Sequence, residues 1–409
     1  MIDFIRTNAR WIGGGFLLTF LSSFGQTFFI ALSAGELRAA LDLSHGGFAQ
    51  LYMIATLGSA LTLPFLGRIV DLTSVTRTLA LCVPLLAAGC VLLSTATTIP
   101  LVVVALYMLR LFGQGMMTHI AMTAMGRWYA ANRGRAVSLV ATGHQAGEAL
   151  LPLAFVAALG AGLDWRTVWL IAAGSLLIAG LPVAATLLSR EREAASGPAA
   201  DQATPGGWTR GQVLRDPLFW IAMTGVLAPA FIGTSIFFHQ VHLIELRGWD
   251  PVRFAAGFTM LGAVTVVATL VAGRIVDTTG AIRLLPAFPI PLALSCLALG
   301  TIEGHAAIFL FFGLMGLSYG FSQTLFGALW PEMYGTRHLG AVRSVVVSFM
   351  VLATALGPAV TGALIDAGVG FPTQVLAMGA YTLAIVAVLL PVSRAALARE
   401  AVAARATVA

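Results

Sequence analysis

Long apolar runs separated by short polar loops fill this chain, and twelve of them reach the roughly 20 residues that a helix needs to cross a bilayer core. They lie at 11–32, 47–66, 79–97, 101–125, 136–158 and 166–188, then at 217–238, 253–272, 284–302, 305–329, 343–366 and 372–393. Between the two sets stands 189–216, SREREAASGPAADQATPGGWTRGQVLRD, charged and rich in Pro, Gly and Ala with no apolar period. Such a stretch predicts a flexible linker, with a short amphipathic helix near Trp208–Leu214.

The two sets of runs are related. GRIVD occurs at Gly67–Asp71 and again at Gly273–Asp277, 206 residues later, within the longer match GRIVDLTSVTR against GRIVDTTGAIR. The same offset aligns Gly134 with Gly340, Ser138 with Ser344 and Pro152 with Pro358. Each GRIVD copy reads as a short polar turn wedged between apolar runs. A repeat of this size in an apolar chain is a feature of carriers built from two equivalent halves. The expected fold is an all-α polytopic membrane protein, twelve transmembrane helices in two pseudo-symmetric six-helix bundles. Its parts are an N-terminal half at 1–188, the linker at 189–216, a C-terminal half at 217–393 and a tail at 394–409.

Composition agrees with this pattern. Of 409 residues 58% are hydrophobic and 10% charged, with a mean hydropathy of +0.91, where a soluble protein carries about 25% charged residues. The net charge of +6 comes with no basic run or aromatic interleaving, so no nucleic-acid partner is expected. Cys82, Cys90 and Cys296 lie inside apolar runs without metal spacing, as small core residues. The first apolar run follows Asp3, Arg6 and Arg10, and it is too long for a signal-peptide core, so it is read as a retained first span.

Arginine supplies all 23 basic residues and sets an orientation. With the N-terminus inside, 18 of the 23 fall on that side, four (Arg38, Arg166, Arg247 and Arg253) on the other, and Arg110 lies within a span. Both termini are therefore expected in the cytoplasm, with the chain in a bacterial inner membrane.

The loops and spans resemble the major facilitator superfamily. GRIVD is similar to that family's loop signature, Gly-x-x-x-Asp with following basic residues. Arg110-Leu-Phe-Gly113-Gln-Gly115 looks like its second signature, Arg-x-x-Gly-x-Gly, and Gly143, Gly147 and Pro152 on span 5 are similar to its third. SSFGQTFF in span 1 and the glycine–proline pattern of span 5 look most like the branch of monocarboxylate transporters and oxalate:formate antiporters. The resemblance implies a carrier whose spans 1, 4, 7 and 10 line a central cavity. Two departures stand out. Leu72 and Thr278 occupy the place of the arginine that usually follows the loop aspartate, and spans 8 and 11 lack the mid-span basic residues of oxalate-type members. The second departure favours a singly charged substrate.

Arg110 lies about 14 Å into span 4 and Glu148 about 18 Å into the antiparallel span 5, near the midplane at 1.5 Å per residue. A charge there costs at least about 2.5–3.5 kcal/mol, so each needs a partner or water. One reading is a structural ion pair; the other is a switchable pair in which Arg110 holds a substrate carboxylate and Glu148 takes a proton. His144 sits one turn before Glu148 and is a candidate relay, ahead of His119. His239 and His242 flank the outer end of span 7 and are expected to be solvated. Gln26, Gln114, Thr234, Tyr319 and Gln323 interrupt the apolar faces of spans 1, 4, 7 and 10 and join Arg110 as substrate-binding candidates, Thr27 and Ser235 beside them. Asp71 and Asp277, with Arg77 and Arg283, are expected to gate, the carboxylates accepting helix N-terminal amides in one conformation and releasing them in another.

No catalytic triad, metal-spaced His/Cys set or phosphate-binding loop is present in the sequence, so neither an enzyme nor a nucleotide-driven pump is expected, and no cofactor or metal is implied. The expectation is a monomeric carrier in the lipid bilayer, moving a small organic anion (a monocarboxylate) together with protons. The alternative is proton-driven efflux of a drug or metabolite.

Overall fold

The computed structural model describes residues 2–129, 133–190, 192, 207–335 and 337–408. For Ile2, Asp3, Asp71, Arg133, Gly134, Gly340 and 400–408 it describes the backbone alone. All regular structure among these residues is helical. Among the described residues nine helices are long and apolar enough to cross a membrane, and a bent pair, Phe4–Gly25 with Thr27–Leu41, makes a tenth span. The other two predicted spans are helical but depart from the simple pattern. Span 5 lies in Arg133–Gly160, which carries His144, Gln145 and Glu148. Span 9 is Ile290–Thr301, preceded by the short helix Ala281–Leu284.

By packing, the chain groups into two units that differ from its sequence halves. One comprises Met1–Ala200, Phe237–Thr259 and Pro358–Asp366; the other comprises Asp201–Ile236, Met260–Gly357 and Ala367–Ala409. In the first unit span 1 packs on spans 5 and 6, span 3 on spans 4 and 6, and span 2 on span 4. In the second, span 9 packs on spans 10 and 12, span 10 on span 8 through Gly316 and Gly320, and span 11 on span 7 through Gly357. The pairs 1·5, 2·4 and 3·6 thus recur as 7·11, 8·10 and 9·12. Small residues set the closest approaches, as packing without a hydrophobic drive requires. A Cβ at Gly143 would collide with the carbonyl of Phe16 and with Thr19 Oγ1.

The two GRIVD copies take different forms, which corrects their reading as matched polar turns. Span 2 ends at Leu66, two residues after Pro64, and Ile69–Leu72 form a separate short helix. Leu270 stands where the first copy has Pro64, so span 8 runs unbroken from Pro251 to Thr279 with its copy inside. That helix stops at Gly280, whose φ of 84° is accessible to glycine at little cost. Proline removes one amide donor and crowds the preceding turn, which accounts for the difference.

The predicted amphipathic helix forms at Arg210–Arg215, started by a capping box between Thr209 and Gln212. Behind it, Asp216 accepts from Tyr334 Oη at 2.9 Å and from both terminal nitrogens of Arg399, at 2.6 and 3.1 Å. Arg399 belongs to the last helix, Phe371–Val408, so the predicted tail continues span 12 as helix.

Candidate functional site

Span 1 is not a continuous helix. The chain narrows to a 3-10 turn at Ser22–Gly25, and Gln26 is extended at φ −86°, ψ 153° before the helix resumes at Thr27 with a 45° bend. The short, polar run Ser22-Ser23-Phe24-Gly25-Gln26-Thr27 signals the break. Its physical cause lies across the interface with span 4. A Cβ on Gly25 would collide with the Leu109 carbonyl, 2.7 Å from Gln114 N and 2.8 Å from Gly113 Cα, so only glycine permits this backbone contact. Span 4 answers with its own irregularity: Leu109–Met117 is π-helical. Such segments free backbone groups and recur at functional sites.

Arg110 projects from that π-helical segment and is 2% exposed. One terminal nitrogen donates to Gly25 O at 3.2 Å and to Thr27 Oγ1 at 3.5 Å. The guanidinium carbon lies 5.3 Å from the ring centre of Tyr52 on span 2, a cation–π distance. Tyr52 and Thr27 share a hydrogen bond of 2.6 Å. The Nε–H of Arg110 meets no acceptor, and among the described residues no carboxylate lies within the 4.0 Å of an ion pair. A buried guanidinium carries five donors in a fixed fork, and here only two acceptors answer them. The unused donors suit a carboxylate, which offers two oxygens in the matching geometry.

Glu148 is 6% exposed on span 5, next to Gly147, which is closely packed on Ser23 and Phe20 of span 1. Among the described residues its carboxylate forms no hydrogen bond or ion pair, with Arg110 or any other group. The two mid-span charges therefore do not form the structural pair that their depth allows. His144 is half-buried, with its ring 6.0 Å from Phe28. Gln26 and Gln114 flank the Gly25–Gly113 contact, half-buried, and among the described residues neither makes a side-chain hydrogen bond.

The second-unit candidates are less polar in practice. Thr234 returns its hydroxyl to its own helix, donating to Ala230 O at 2.6 Å and Phe231 O at 3.2 Å. Ser235 does the same to Phe231 O. Tyr319 lays its hydroxyl in the notch left by Gly233, and Gln323 is exposed.

The loop candidates divide in the same way. The side chain of Asp71 lies outside the described residues. Arg77, Asp277 and Arg283 are exposed, Arg283 reaching Thr279 O at 3.5 Å. The first loop is held from span 4: His119 Nε2 lies 3.3 Å from Gly67 O, and Arg127 donates to Val70 O at 3.1 Å. In the second, Glu332 of span 10 accepts the amides of Ala281 and Ile282 at 2.8 and 2.9 Å. Helix N-terminal amides here are capped by a carboxylate, and that carboxylate is Glu332, nine residues beyond Gln323, the last candidate on span 10.

Sequence reasoning missed Tyr52, since one tyrosine in an apolar run reads as core; only its depth beside Arg110 and Thr27 gives it a role. Correction is also due to the two histidines after span 7. His239 is 3% exposed rather than solvated, its Nε2 lying 3.2 Å from Pro358 O, and His242 is half-buried with its ring 4.1 Å from that of His45.

Known proteins bear out the architecture. The chain is similar to the crystal structure of a bacterial homolog of the human lysosomal transporter Spinster, in an inward-facing and unoccupied conformation. The two share 16% identity and a TM-score of 0.72 over 96% of this chain and 98% of that one. It is also similar to the nucleoside transporter NupG, at 13% identity and a TM-score of 0.68 over 93% and 98% of the two chains. At such identities the likeness concerns the fold. No curated protein matches the chain. A family profile described as Major Facilitator Superfamily matches residues 15–305, well over half the sequence. With its helical repeat and loop signatures, the chain belongs to the Major Facilitator Superfamily, a family of membrane transporters and not of enzymes.

Proposed function

We propose that this protein is a secondary active transporter that moves a small, singly charged organic anion, a monocarboxylate, by alternating access and in company with protons. The observation that supports it is Arg110: a buried cation that, among the described residues, has no carboxylate partner and leaves its Nε–H and further donors unused. Desolvated donors of this kind discriminate strongly for a ligand that satisfies them. Gly25 O and Thr27 hold the guanidinium at rest, and an entering carboxylate takes over its donors. Gln26 and Gln114 supply neighbouring amides, and Thr234, Tyr319 and Gln323 are the substrate-binding candidates of the second repeat. Glu148, with His144 one turn away, takes the coupled proton. Asp71, Arg77, Asp277 and Arg283 belong to loops that gate the arginine-rich face, which lies in the cytoplasm of a bacterial inner-membrane protein acting as a monomer.

The test is flux into liposomes under an imposed pH gradient, lactate-like anions against cationic dyes. Anion uptake driven by the gradient is expected, and Arg110→Gln should abolish it while the variant remains folded. Normal anion uptake by Arg110→Gln overturns the reading. Glu148 favours a second one, since a lone buried carboxylate also attracts cations: proton-driven efflux of a cationic drug or metabolite. Dye flux that ignores Arg110 and is lost in Glu148→Gln would establish that alternative.

A further inference from the structure

The arginine-poor end of the first unit contains a cluster that transport of an anion does not use. His45 opens span 2, and its ring lies 4.1 Å from that of His242 and 6.0 Å from that of His239. With Arg38, Phe48 and Phe238 these rings enclose a cavity of about 10 Å³, barely room for one water. Around it the first and second sequence halves meet closely. Gly46 N donates to Asp366 Oδ2 at 2.9 Å, and Gly362 of span 11 lies against His45 O and Gly46 Cα. Phe48 stacks on Phe238 at 5.4 Å, and Gln240 Nε2 donates to Phe28 O at 2.8 Å. Spans 1 and 2 are thereby fastened to the ends of spans 7 and 11.

We propose that His45, His239 and His242 form a proton-operated clasp, which holds these ends together while the imidazoles are neutral and releases them when protons bind. The inference rests on the alternating-access part of the reading above, and not on the identity of the cargo. Three imidazoles at these separations tolerate little charge, because each new cation faces the others and Arg38. The carboxylates within reach are Asp366, beside His45 and Arg38, and Glu245, beside His242 and Arg38. Asp366 already accepts from Gly46, and Glu245 is shared with Arg38. His239 faces Pro358 O, a contact that its neutral Nε2–H tautomer satisfies.

Burial holds His239 down to about 3 from its ordinary 6.5; the contact with Pro358 O, second to burial in size, pulls the other way, and His45, His242 and Arg38 each add a smaller downward push. Burial and Arg38 also lower His242, against Glu245. The sign follows from linkage: groups whose affinity for protons is depressed in the clasped state stabilise it above their ordinary value and lose that effect as pH falls below it. For His239 alone, release to the ordinary value shifts the balance toward the open clasp about tenfold between pH 7.5 and 5.5.

The test uses the full chain in liposomes, without substrate, carrying Val241→Cys in the cavity wall. A membrane-impermeant maleimide reports access, each rate divided by that of the same cysteine in denatured protein to remove thiol titration. Labelling should rise at least about tenfold from pH 7.5 to 5.5, and the triple variant His45→Gln/His239→Gln/His242→Gln, which keeps neutral donors, should label at one rate throughout. Asp366→Asn, which weakens the acceptor for Gly46, should label rapidly at both pH values. A normalised rate that stays flat in the parent protein, a pH dependence that survives in the triple variant, or slow labelling of Asp366→Asn at pH 7.5 overturns the clasp. Because no substrate is present, these results stand apart from the anion experiment, and either idea can fail without the other.

Discussion

The two repeats share one packing plan and differ where chemistry is concerned. At the 206-residue offset Arg110 corresponds to Gly316, Glu148 to Thr354, Gly25 to Phe231 and Tyr52 to Phe258. The first repeat breaks span 1 and lets its backbone touch the π-helical part of span 4. The second keeps span 7 helical from Pro217 to Phe238 and sets Tyr319 between it and span 10. Thr354 spends its hydroxyl on Val351 O. Duplication therefore supplied two equivalent scaffolds, and among the described residues the buried mid-span charges, Arg110 and Glu148, belong to one of them. A pseudo-symmetric carrier needs this kind of imbalance, because a doubled cation at the midplane would double the insertion cost and repel itself.

The largest effect that sharpens this contrast concerns Glu148. Glu148→Gln should leave anion exchange running while the dependence of flux on an imposed pH gradient disappears, measured in the same liposomes as parent protein. Putting a carboxylate at the twin position, Thr354→Glu in the Glu148→Gln background, should not restore it. Restored coupling would mean that the two repeats are interchangeable and that the imbalance carries no function.

Next in size is the backbone contact that breaks span 1. Gly25→Ala drives a methyl into the Leu109 carbonyl, where both sides are main chain and neither can rotate away. Its expected cost is above about 3 kcal/mol, the upper end of overpacking, seen as a lower thermal midpoint in detergent. Gly233→Ala meets the hydroxyl tip of Tyr319 instead, so its cost should stay below about 2 kcal/mol. Equal losses would show that the span 1 break is no tighter than its counterpart.

How much of this could be read in the residues depends on what each signal records. Twelve apolar runs, the repeat and the small helix at Arg210–Arg215 were legible because length, hydropathy and capping are local properties. Arg110 and Glu148 were legible because a charge in an apolar run is costly wherever it points. Partnership was not legible. That Arg110 faces Gly25 O and Tyr52 and avoids Glu148 depends on the bend at Gln26 and the π-helical turns of span 4, which no period reveals. His239 looked solvated because it follows a span, yet it is buried by span 11, which lies over a hundred residues away in sequence. Glu332 was overlooked for a similar reason: its partners, the amides of 281 and 282, exist only once Gly280 has ended span 8.

The loop clasps give an intermediate effect. Glu332→Gln removes a charged acceptor from two amides, and Arg127→Gln removes, among its contacts, the donor to the Val70 carbonyl. Losses of about 1.5–3 and about 0.5–1.5 kcal/mol follow for hydrogen bonds with and without full charge assistance, discounted for the partial exposure of Arg127. Thermal midpoints should rank in that order. The reverse order would mean that the first loop, with its separate helix Ile69–Leu72, depends on span 4 more than the second depends on span 10.

The smallest effect should also change sign between the twin glycines of GRIVD. Gly67 closes span 2 after Pro64, and a Cβ there would lie 2.8 Å from Leu63 O and 3.1 Å from His119 Nε2. Alanine must displace the imidazole that holds this loop, so Gly67→Ala should destabilise the protein. Gly273, its twin, lies inside the unbroken helix Pro251–Thr279, where a Cβ meets nothing within 4 Å. Gly273→Ala should therefore stabilise by about 0.5–1 kcal/mol, the ordinary gain of alanine over glycine in a helix interior. Paired thermal midpoints in one detergent decide it. If both variants lose stability, the second copy is constrained by more than its helix, and one proline does not account for the divergence of the two loops.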